Sequence, residues 1–239
     1  MQRRASLLLG LTLLACGLAA CNRSGGGASQ PQGAASGTRL CQLGDPNDCM
    51  GQCKSGNAGS CMELGAMYES GMRVGADVKH ATELYVQACD MGNGFGCSSA
   101  GYMYGTGKGV ALDYVKSIGF YKRACEHGVG QGCYNLGVMY ESGYGVSRDF
   151  PTAVMNFEYA CLIGSAAGCS SAGMSYFIGR GVEMNREHGF ELLKQGCFGG
   201  NKWGCERLQE IQGAAAGGSG PGKGTPSEKG QGGNGGSSM

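Results

Sequence analysis

Cysteines recur in this 239-residue sequence at a fixed interval of 36 residues. One series is Cys53, Cys89, Cys125, Cys161 and Cys197, and a second, offset by eight, is Cys61, Cys97, Cys133, Cys169 and Cys205. Glycine, tyrosine, valine and aspartate keep the same phase, starting at Gly65, Tyr68, Gly71, Val74 and Asp77. A period of this length indicates structural repeats, each of which packs against its neighbours in the chain.

Each 36-residue unit is predicted to form two helices. In the first complete unit, apolar residues at helical spacing predict a helix over Met62–Ser70, and Gly71 ends it. Asp77 is a suitable N-cap for a second helix, whose apolar stripe starts at Ala81. One hairpin cannot cover its own apolar face, so neighbouring hairpins must stack. The predicted fold is therefore an all-α solenoid of 36-residue α/α hairpins.

Every cysteine pair has the form Cys-x-x-Gly-x-x-x-x-Cys. Eight residues along one helix span about 12 Å, whereas a disulfide needs Cα atoms within about 7 Å, so a turn at the glycine is required. The rival pairing of cysteines 28 residues apart would strand Cys53 and Cys205. The predicted disulfides that staple the solenoid are Cys41–Cys49, Cys53–Cys61, Cys89–Cys97, Cys125–Cys133, Cys161–Cys169 and Cys197–Cys205. Zinc is disfavoured, because structural zinc sites keep fewer residues between paired cysteines.

The amino terminus has the features of a bacterial export signal. Two arginines precede an apolar stretch that is short for a membrane span. Leu18-Ala19-Ala20-Cys21 resembles the lipobox, which predicts a lipoprotein signal peptide over 1–20 and lipid attachment at Cys21. Cleavage there leaves twelve other cysteines, an even number, whereas the weaker candidate Cys16 would strand one. An ordinary cleaved signal is the alternative.

Composition divides the rest of the chain. Residues 21–38 are rich in Gly, Ser, Ala and Gln and are predicted to be a flexible tether to the lipid. The solenoid is predicted over 39–212. It divides into a cap at 41–60, units at 61–96, 97–132, 133–168 and 169–204, and a terminal helix at 205–212. Residues 213–239 lack aromatic residues and are predicted to form a disordered Gly-rich tail.

The repeat resembles a known family. Cys-x-x-Gly-x-x-x-x-Cys followed by x-x-Leu-Gly-x-Met-Tyr-x-x-Gly-x-Gly-Val-x-x-Asp is similar to the Sel1-like repeat, a relative of the tetratricopeptide repeat, and the cysteines resemble those of the Helicobacter cysteine-rich proteins. Arg73 and Asn185 depart from the pattern, and the opening unit lacks a hairpin. The resemblance implies a right-handed solenoid that binds partners on its concave surface. Some relatives carry the label of β-lactamase or penicillin-binding protein.

Catalytic motifs are not found in the sequence. Ser-x-x-Lys, Ser-Asp-Asn and Lys-Thr-Gly do not occur, and His80, His127 and His188 lack the spacing of zinc ligands. We therefore predict no catalytic residue, no metal and no cofactor. A weak β-lactamase remains the alternative function, and a structural spacer a third. A net charge of +1 provides no basic field for nucleic acid.

Binding residues are sought where the repeats disagree, because core positions must repeat. On the first helices of the units, this criterion selects a candidate groove of Tyr102, Tyr134, Val138, Met174 and Phe177. The alternative is that these side chains pack between units. The predicted partner is an envelope protein, a peptide or a peptidoglycan fragment, bound by a monomer that contacts the membrane only through its lipid anchor.

The predicted location is the bacterial cell envelope. Fourteen cysteines argue against a reduced cytosolic protein. Asn22, which follows the lipidation site, favours the outer membrane with the solenoid facing the periplasm. Secretion without an anchor is the alternative.

Overall fold

The computed structural model describes residue 41 and residues 45–216, and this part of the chain forms ten α-helices and no strand. The helices are α1 (Pro46–Lys54), α2 (Ala58–Ser70), α3 (Val78–Asp90), α4 (Gly94–Thr106), α5 (Tyr114–Glu126), α6 (Gly130–Ser142), α7 (Phe150–Leu162), α8 (Ala166–Ile178), α9 (Arg186–Phe198) and α10 (Lys202–Ala216). From α2 onward, successive even-numbered helices begin 36 residues apart, and so do successive odd-numbered helices. The predicted all-α hairpin repeat is confirmed.

Several predicted segments lie outside the described residues. These are the signal peptide at 1–20, the lipidation site Cys21, the tether at 21–38 and the tail from 217 onward. The last helix, α10, begins three residues before the predicted terminal helix and continues four residues beyond it. Residues 213–216 are therefore helical and do not belong to a disordered tail.

Local hydrogen bonds fix where the helices begin. The side chain of Asn57 accepts a backbone N–H of the first turn of α2, so this helix begins at Ala58 rather than at the predicted Met62. Asp77 caps α3 as predicted, and its carboxylate accepts the His80 backbone N–H at 2.9 Å. The early start of α2 places the second cysteine of each motif inside a helix rather than before it.

Glycines serve two purposes in the repeat. Gly71 ends α2 with φ of 72°, in the left-handed region that favours glycine. Gly101 lies inside α4, where an added Cβ would stand 2.6 Å from the ring of Tyr121 on α5. The bare backbone of one helix therefore packs directly on an aromatic ring of the next. The equivalent contacts join Gly65 to Tyr85 and Gly137 to Phe157.

Of the six disulfides, five join successive helices of the array and one ties residue 41 to α1. From Cys53 onward, each joins a cysteine near the end of one helix to a cysteine in the first turn of the next, with Cα atoms 4.4–4.6 Å apart. The first bridge ties Cys41 to Cys49 in α1. A left-handed glycine lies between each pair from Cys53 onward, as Gly92 does with φ of 86°. The structure thus pairs the cysteines at a spacing of eight.

Packing runs along the array rather than around one centre. Each helix packs on the helix before it and the helix after it, and buried side chains form a series of small clusters. Even-numbered neighbours also touch in all four pairs from α2–α4 to α8–α10. The even-numbered helices therefore form one continuous side of the array, which we call the even side.

Candidate binding surface

Two pockets open among the even-numbered helices. The α4 pocket, of about 410 Å³, is lined by Glu69, Ser98, Ser99, Tyr102, Met103, Tyr121, Gln131 and Asn135. The α8 pocket, of about 470 Å³, is lined by Tyr134, Glu141, Ser171, Met174, Ser175, Ile178, Arg180, Trp203 and Arg207. Three successive even-numbered helices contribute to each pocket, so neither exists within a single repeat.

The two pockets occupy the same place in the repeat, two units apart. Six lining positions correspond after a shift of 72 residues: Glu69 and Glu141, Ser99 and Ser171, Tyr102 and Met174, Met103 and Ser175, Gln131 and Trp203, and Asn135 and Arg207. The glutamate and the serine are retained, and the other four residues change. The array therefore presents two different sets of side chains in one geometric frame.

Glu69 is held at the edge of the α4 pocket by two donors. The Tyr85 hydroxyl donates to Oε2 at 2.6 Å, and Lys108 Nζ donates to Oε1 at 2.8 Å. Burial opposes ionisation, but these hydrogen bonds and the charge of Lys108 outweigh it and hold the pKa of the Glu69 carboxyl below its ordinary value. Glu69 is therefore a fixed, ionised partner of Lys108, which belongs to the next repeat.

Glu141 repeats this arrangement at the α8 pocket with one donor fewer. Arg180 of the next repeat donates to Glu141 Oε1 at 3.2 Å. The residue equivalent to Tyr85 is Phe157, which has no hydroxyl to donate. The guanidinium of Arg180 also lies 5.7 Å from the ring centroid of Phe150. Arg180 is 49% exposed, so part of its guanidinium remains accessible to a ligand.

Trp203 and Arg207 give the α8 pocket a second aromatic and cationic wall. They project from α10 one turn apart, and Trp203 is 43% exposed. Arg207 donates through one terminal nitrogen to Glu210, whereas its Nε is buried and has no partner among the described residues. An unsatisfied buried N–H is rare in proteins. The guanidinium of Arg207 therefore has hydrogen-bonding capacity that the described residues do not use.

Residue 41 and residues 45–216 contain no cluster of three His, Cys, Asp or Glu side chains able to hold a metal ion. No helix within these residues has the length and hydropathy needed to cross a bilayer.

A family model describes these hairpins. The model of the Sel1 repeat matches residues 58–93, 96–129, 130–165 and 166–201, which together make up more than half of the chain. The protein belongs to the Sel1 repeat family. Sel1 repeat proteins mediate protein–protein interactions. No curated protein sequence matches the chain significantly.

Solved structures of other Sel1 repeat proteins are similar to this one. A protective antigen of uropathogenic Escherichia coli with an SLR fold is 30% identical over 72% of this chain, which spans 37% of that antigen, with a TM-score of 0.67. A Sel1 repeat protein from Oxalobacter formigenes is 22% identical over 70% of this chain, which spans 66% of its length, with a TM-score of 0.66. Helicobacter pylori cysteine-rich protein B is 28% identical over 56% of this chain and 96% of its own, with a TM-score of 0.47.

The five predicted groove residues of this Sel1 repeat protein fall in different places. Tyr134 and Met174 line the α8 pocket, and Tyr102 lines the α4 pocket. Val138 packs against the cluster of buried side chains between α7 and α8. Phe177 is half-buried, and the guanidinium of Arg186 on α9 lies 5.7 Å from its ring centroid. The structure therefore separates the single predicted groove into two pockets and places two of its residues in packing contacts.

Three functional candidates were missed from the sequence: Arg180, Trp203 and Arg207. The predicted groove residues come from the first helices of the four predicted units. Trp203 and Arg207 belong to a fifth even-numbered helix, α10. The signal was present, because the position of Trp203 also differs from unit to unit and holds Phe95, Gln131 and Ala167 in the earlier ones. Arg180 lies in the turn that follows α8, and its side chain reaches back to Glu141 in the preceding unit.

Proposed function

We propose that this Sel1 repeat protein is an exported scaffold of the bacterial cell envelope that binds an extended segment of a partner protein along its even side. The observation that carries the proposal is the pair of pockets at equivalent positions of the repeat. The two pockets have the same geometry, but most of their lining side chains differ. Residues that only maintain the fold are retained from repeat to repeat, whereas recognition requires different chemistry at each position.

The lining of each pocket favours a particular part of the ligand. Trp203 and Tyr134 offer aromatic surface, and Arg180 and Arg207 offer guanidinium groups that bind carboxylates well. The α8 pocket is therefore suited to an apolar side chain beside a carboxylate. Gln131 and Asn135 in the α4 pocket offer amides, which are suited to uncharged peptide groups. The proposed ligand is a peptide with an acidic, apolar end and a polar continuation.

Peptide selection tests this proposal. The oxidised chain would be immobilised and exposed to phage-displayed random decapeptides. We expect the selected peptides to combine an acidic residue with an aromatic or aliphatic one. Trp203→Ala and Arg207→Gln should each weaken the binding of these peptides by about tenfold or more, as measured by calorimetry. Gln87→Ala, at an exposed position of α3 away from both pockets, is the matched control and should have no effect.

Two results would contradict the proposal. One is the absence of any selected peptide. The other is a set of peptides whose affinity is unchanged by substitution in both pockets, including Tyr102→Ala in the α4 pocket.

The proposed location rests on the amino-terminal residues and on the disulfides. Six disulfides are typical of an oxidising compartment such as the periplasm. We propose that Cys21 carries the lipid and that residues 22–38 tether the solenoid to the outer membrane. Metabolic labelling with an alkyne fatty acid should mark the wild-type chain and not Cys21→Ser. Equal labelling of the two would exclude lipidation at Cys21.

A further inference from the structure

The helix α7 has an exposed face made only of apolar residues. Its exposed positions are Pro151, Met155, Tyr159 and Leu162, separated by four, four and three residues. At this spacing they form one stripe along the helix. Met155 is 67% exposed and Leu162 is 80% exposed. We call these four residues the α7 stripe.

The repeat does not require the α7 stripe. The residues that hold α7 in the array are Ala153, Val154 and Phe157, which are buried on another face. The equivalent positions on α3, α5 and α9 include at least two charged residues on each helix. These positions are Lys79, Glu83, Gln87 and Asp90 on α3, Val115, Gly119, Arg123 and Glu126 on α5, and Glu187, Glu191, Gln195 and Phe198 on α9. An exposed apolar surface that departs from the repeat pattern marks an interaction site.

The absence of charge makes the α7 stripe compatible with itself. In a contact between two copies related by a twofold axis, the same patch meets itself, so a patch with charge of one sign would repel its copy. The stripes of α3, α5 and α9 all carry charges. The only charged residue of α7 is Glu158, which is half-buried at the border of the stripe and whose carboxylate accepts the Tyr176 hydroxyl at 2.6 Å. Among the stripes of α3, α5, α7 and α9, only that of α7 contains no charged residue.

The available surface is large enough for such a contact. Phe198 on α9 occupies the position equivalent to Leu162 and is 86% exposed, so it extends the apolar surface to the next odd-numbered helix. Met155, Tyr159, Leu162 and Phe198 are 67%, 45%, 80% and 86% exposed, so together they offer on the order of 500 Å² per copy. Two copies would bury about 1,000 Å², the area that a proposed biological interface should reach.

We propose that the α7 stripe is a docking surface for a second copy of this chain, which makes the protein a homodimer rather than the monomer that the sequence predicts. The proposal goes beyond the function proposed above and does not depend on it. The stripe lies on an odd-numbered helix, so the dimer leaves the pockets of the even side open in both copies. A dimer would then present two equivalent ligand sites to a partner.

Photo-crosslinking in the cell tests the contact. Tyr159 in the full chain would be replaced by p-benzoylphenylalanine and the bacteria irradiated. We expect a covalent dimer of twice the chain mass in which position 159 is linked to α7 of the other copy, as identified by mass spectrometry. The same photoreactive residue at Gln87, the exposed equivalent on α3, should yield no dimer.

Sedimentation of the purified, oxidised full chain gives an independent measurement. Met155→Glu combined with Leu162→Glu should weaken self-association by at least about tenfold, because like charges would meet in the contact. Glu83→Lys with Asp90→Lys, at the equivalent exposed positions of α3, is the matched control and should leave it unchanged. Circular dichroism would verify that both variants fold. A monomer at every soluble concentration, a crosslink only to another protein or to lipid, or a dimer unaffected by the α7 variant would overturn the proposal.

Discussion

The α4 and α8 pockets share a frame and differ in most of the side chains that line it. Both retain the glutamate, paired with a cation from the next repeat, and the serine on the middle helix. Beyond these, Tyr102, Gln131 and Asn135 in one are replaced by Met174, Trp203 and Arg207 in the other. The comparison shows that the array separates two tasks. Cysteines, glycines and tyrosines in fixed phase build the frame, and a few variable positions give each pocket its own chemistry.

The two pockets also differ in mechanical support. The α4 pocket lies inside the array, with hairpins packed on both sides. The α8 pocket depends on α10, the last helix described, which packs on α9 and is joined to it by the Cys197–Cys205 bridge. The more specialised pocket is therefore the less supported one.

The largest effect should come from removing that bridge. A closed loop of nine residues contributes about 2.5 kcal/mol in the chain-entropy model, so Cys197→Ser with Cys205→Ser should destabilise the carboxyl-terminal end by about this amount. Trp203 is the only tryptophan of the chain and reports directly on α10. Its fluorescence in urea should show earlier unfolding of α10 in the variant than in the wild type.

The opposite end provides the control for this experiment. Cys41→Ser with Cys49→Ser removes a loop of the same length in the amino-terminal cap. If this variant shifts the unfolding midpoint reported by Trp203 as much as the first one does, the array unfolds as a single unit. The helices around the α8 pocket are then no less stable than the rest of the array.

A second prediction concerns the frame of the α4 pocket. Gly101→Ala would place a methyl group 2.6 Å from the Tyr121 ring, and this overpacking should destabilise the fold by about 1–3 kcal/mol. Gly119→Ala on the exposed face of α5 meets no atom within 4 Å, so it should stabilise the helix by up to about 1 kcal/mol. Urea denaturation measures both. Equal effects of the two substitutions would contradict the packing role of Gly101.

A third prediction transfers the chemistry of one pocket to the other. Gln131→Trp with Asn135→Arg would give the α4 pocket the side chains that Trp203 and Arg207 give the α8 pocket. When the two substitutions are added to Trp203→Ala, the chain should bind peptides selected by the wild type about tenfold more tightly than Trp203→Ala alone does. Calorimetry would measure the recovery. No gain would show that the two frames are not interchangeable.

The smallest effect concerns the extra donor of the α4 pocket. Tyr85→Phe removes the hydroxyl that Glu69 accepts, and should lower stability at pH 7 by about 1 kcal/mol. The pKa of Glu69 is depressed in the folded chain, so its stabilising contribution is complete above the ordinary value of 4.5 and is lost as the pH falls through the folded pKa. The difference between wild type and Tyr85→Phe should therefore narrow at pH 3.

Tyr121→Phe is the matched control for the pH dependence. Its hydroxyl lies near the side chains of Ser117 and Asn135 rather than near a carboxylate. The effect of this substitution should be the same at pH 7 and at pH 3. A pH-dependent effect of Tyr121→Phe equal to that of Tyr85→Phe would exclude Glu69 as the cause.

The helices, turns and disulfides that form the frame could be predicted because each depends on a short segment of sequence that recurs in every repeat. The cysteine spacing, the cap at Asp77 and the terminating Gly71 each depend on a few neighbouring residues in the chain. The predicted start of α2 at Met62 is four residues too late, because the prediction does not use the N-cap Asn57.

The pockets could be predicted only in part. Val138 and Met174 occupy the same repeat position, yet Val138 packs into the array and Met174 lines the α8 pocket. What surrounds this position depends on side chains from neighbouring units, which vary independently. Contacts across units, such as Arg180 with Glu141 over 39 residues, leave no short motif in the sequence.

The disulfides have a consequence for how the chain is made. Each cysteine from Cys41 to Cys205 is bonded to the cysteine immediately before or after it in sequence, so the pairs follow one another and no bridge encloses another. A chain threaded through a membrane from its amino terminus delivers the partners of each bridge consecutively. An oxidase that joins each arriving thiol to the one before it would therefore give the native set without reshuffling, and each hairpin could be locked before the next one emerges.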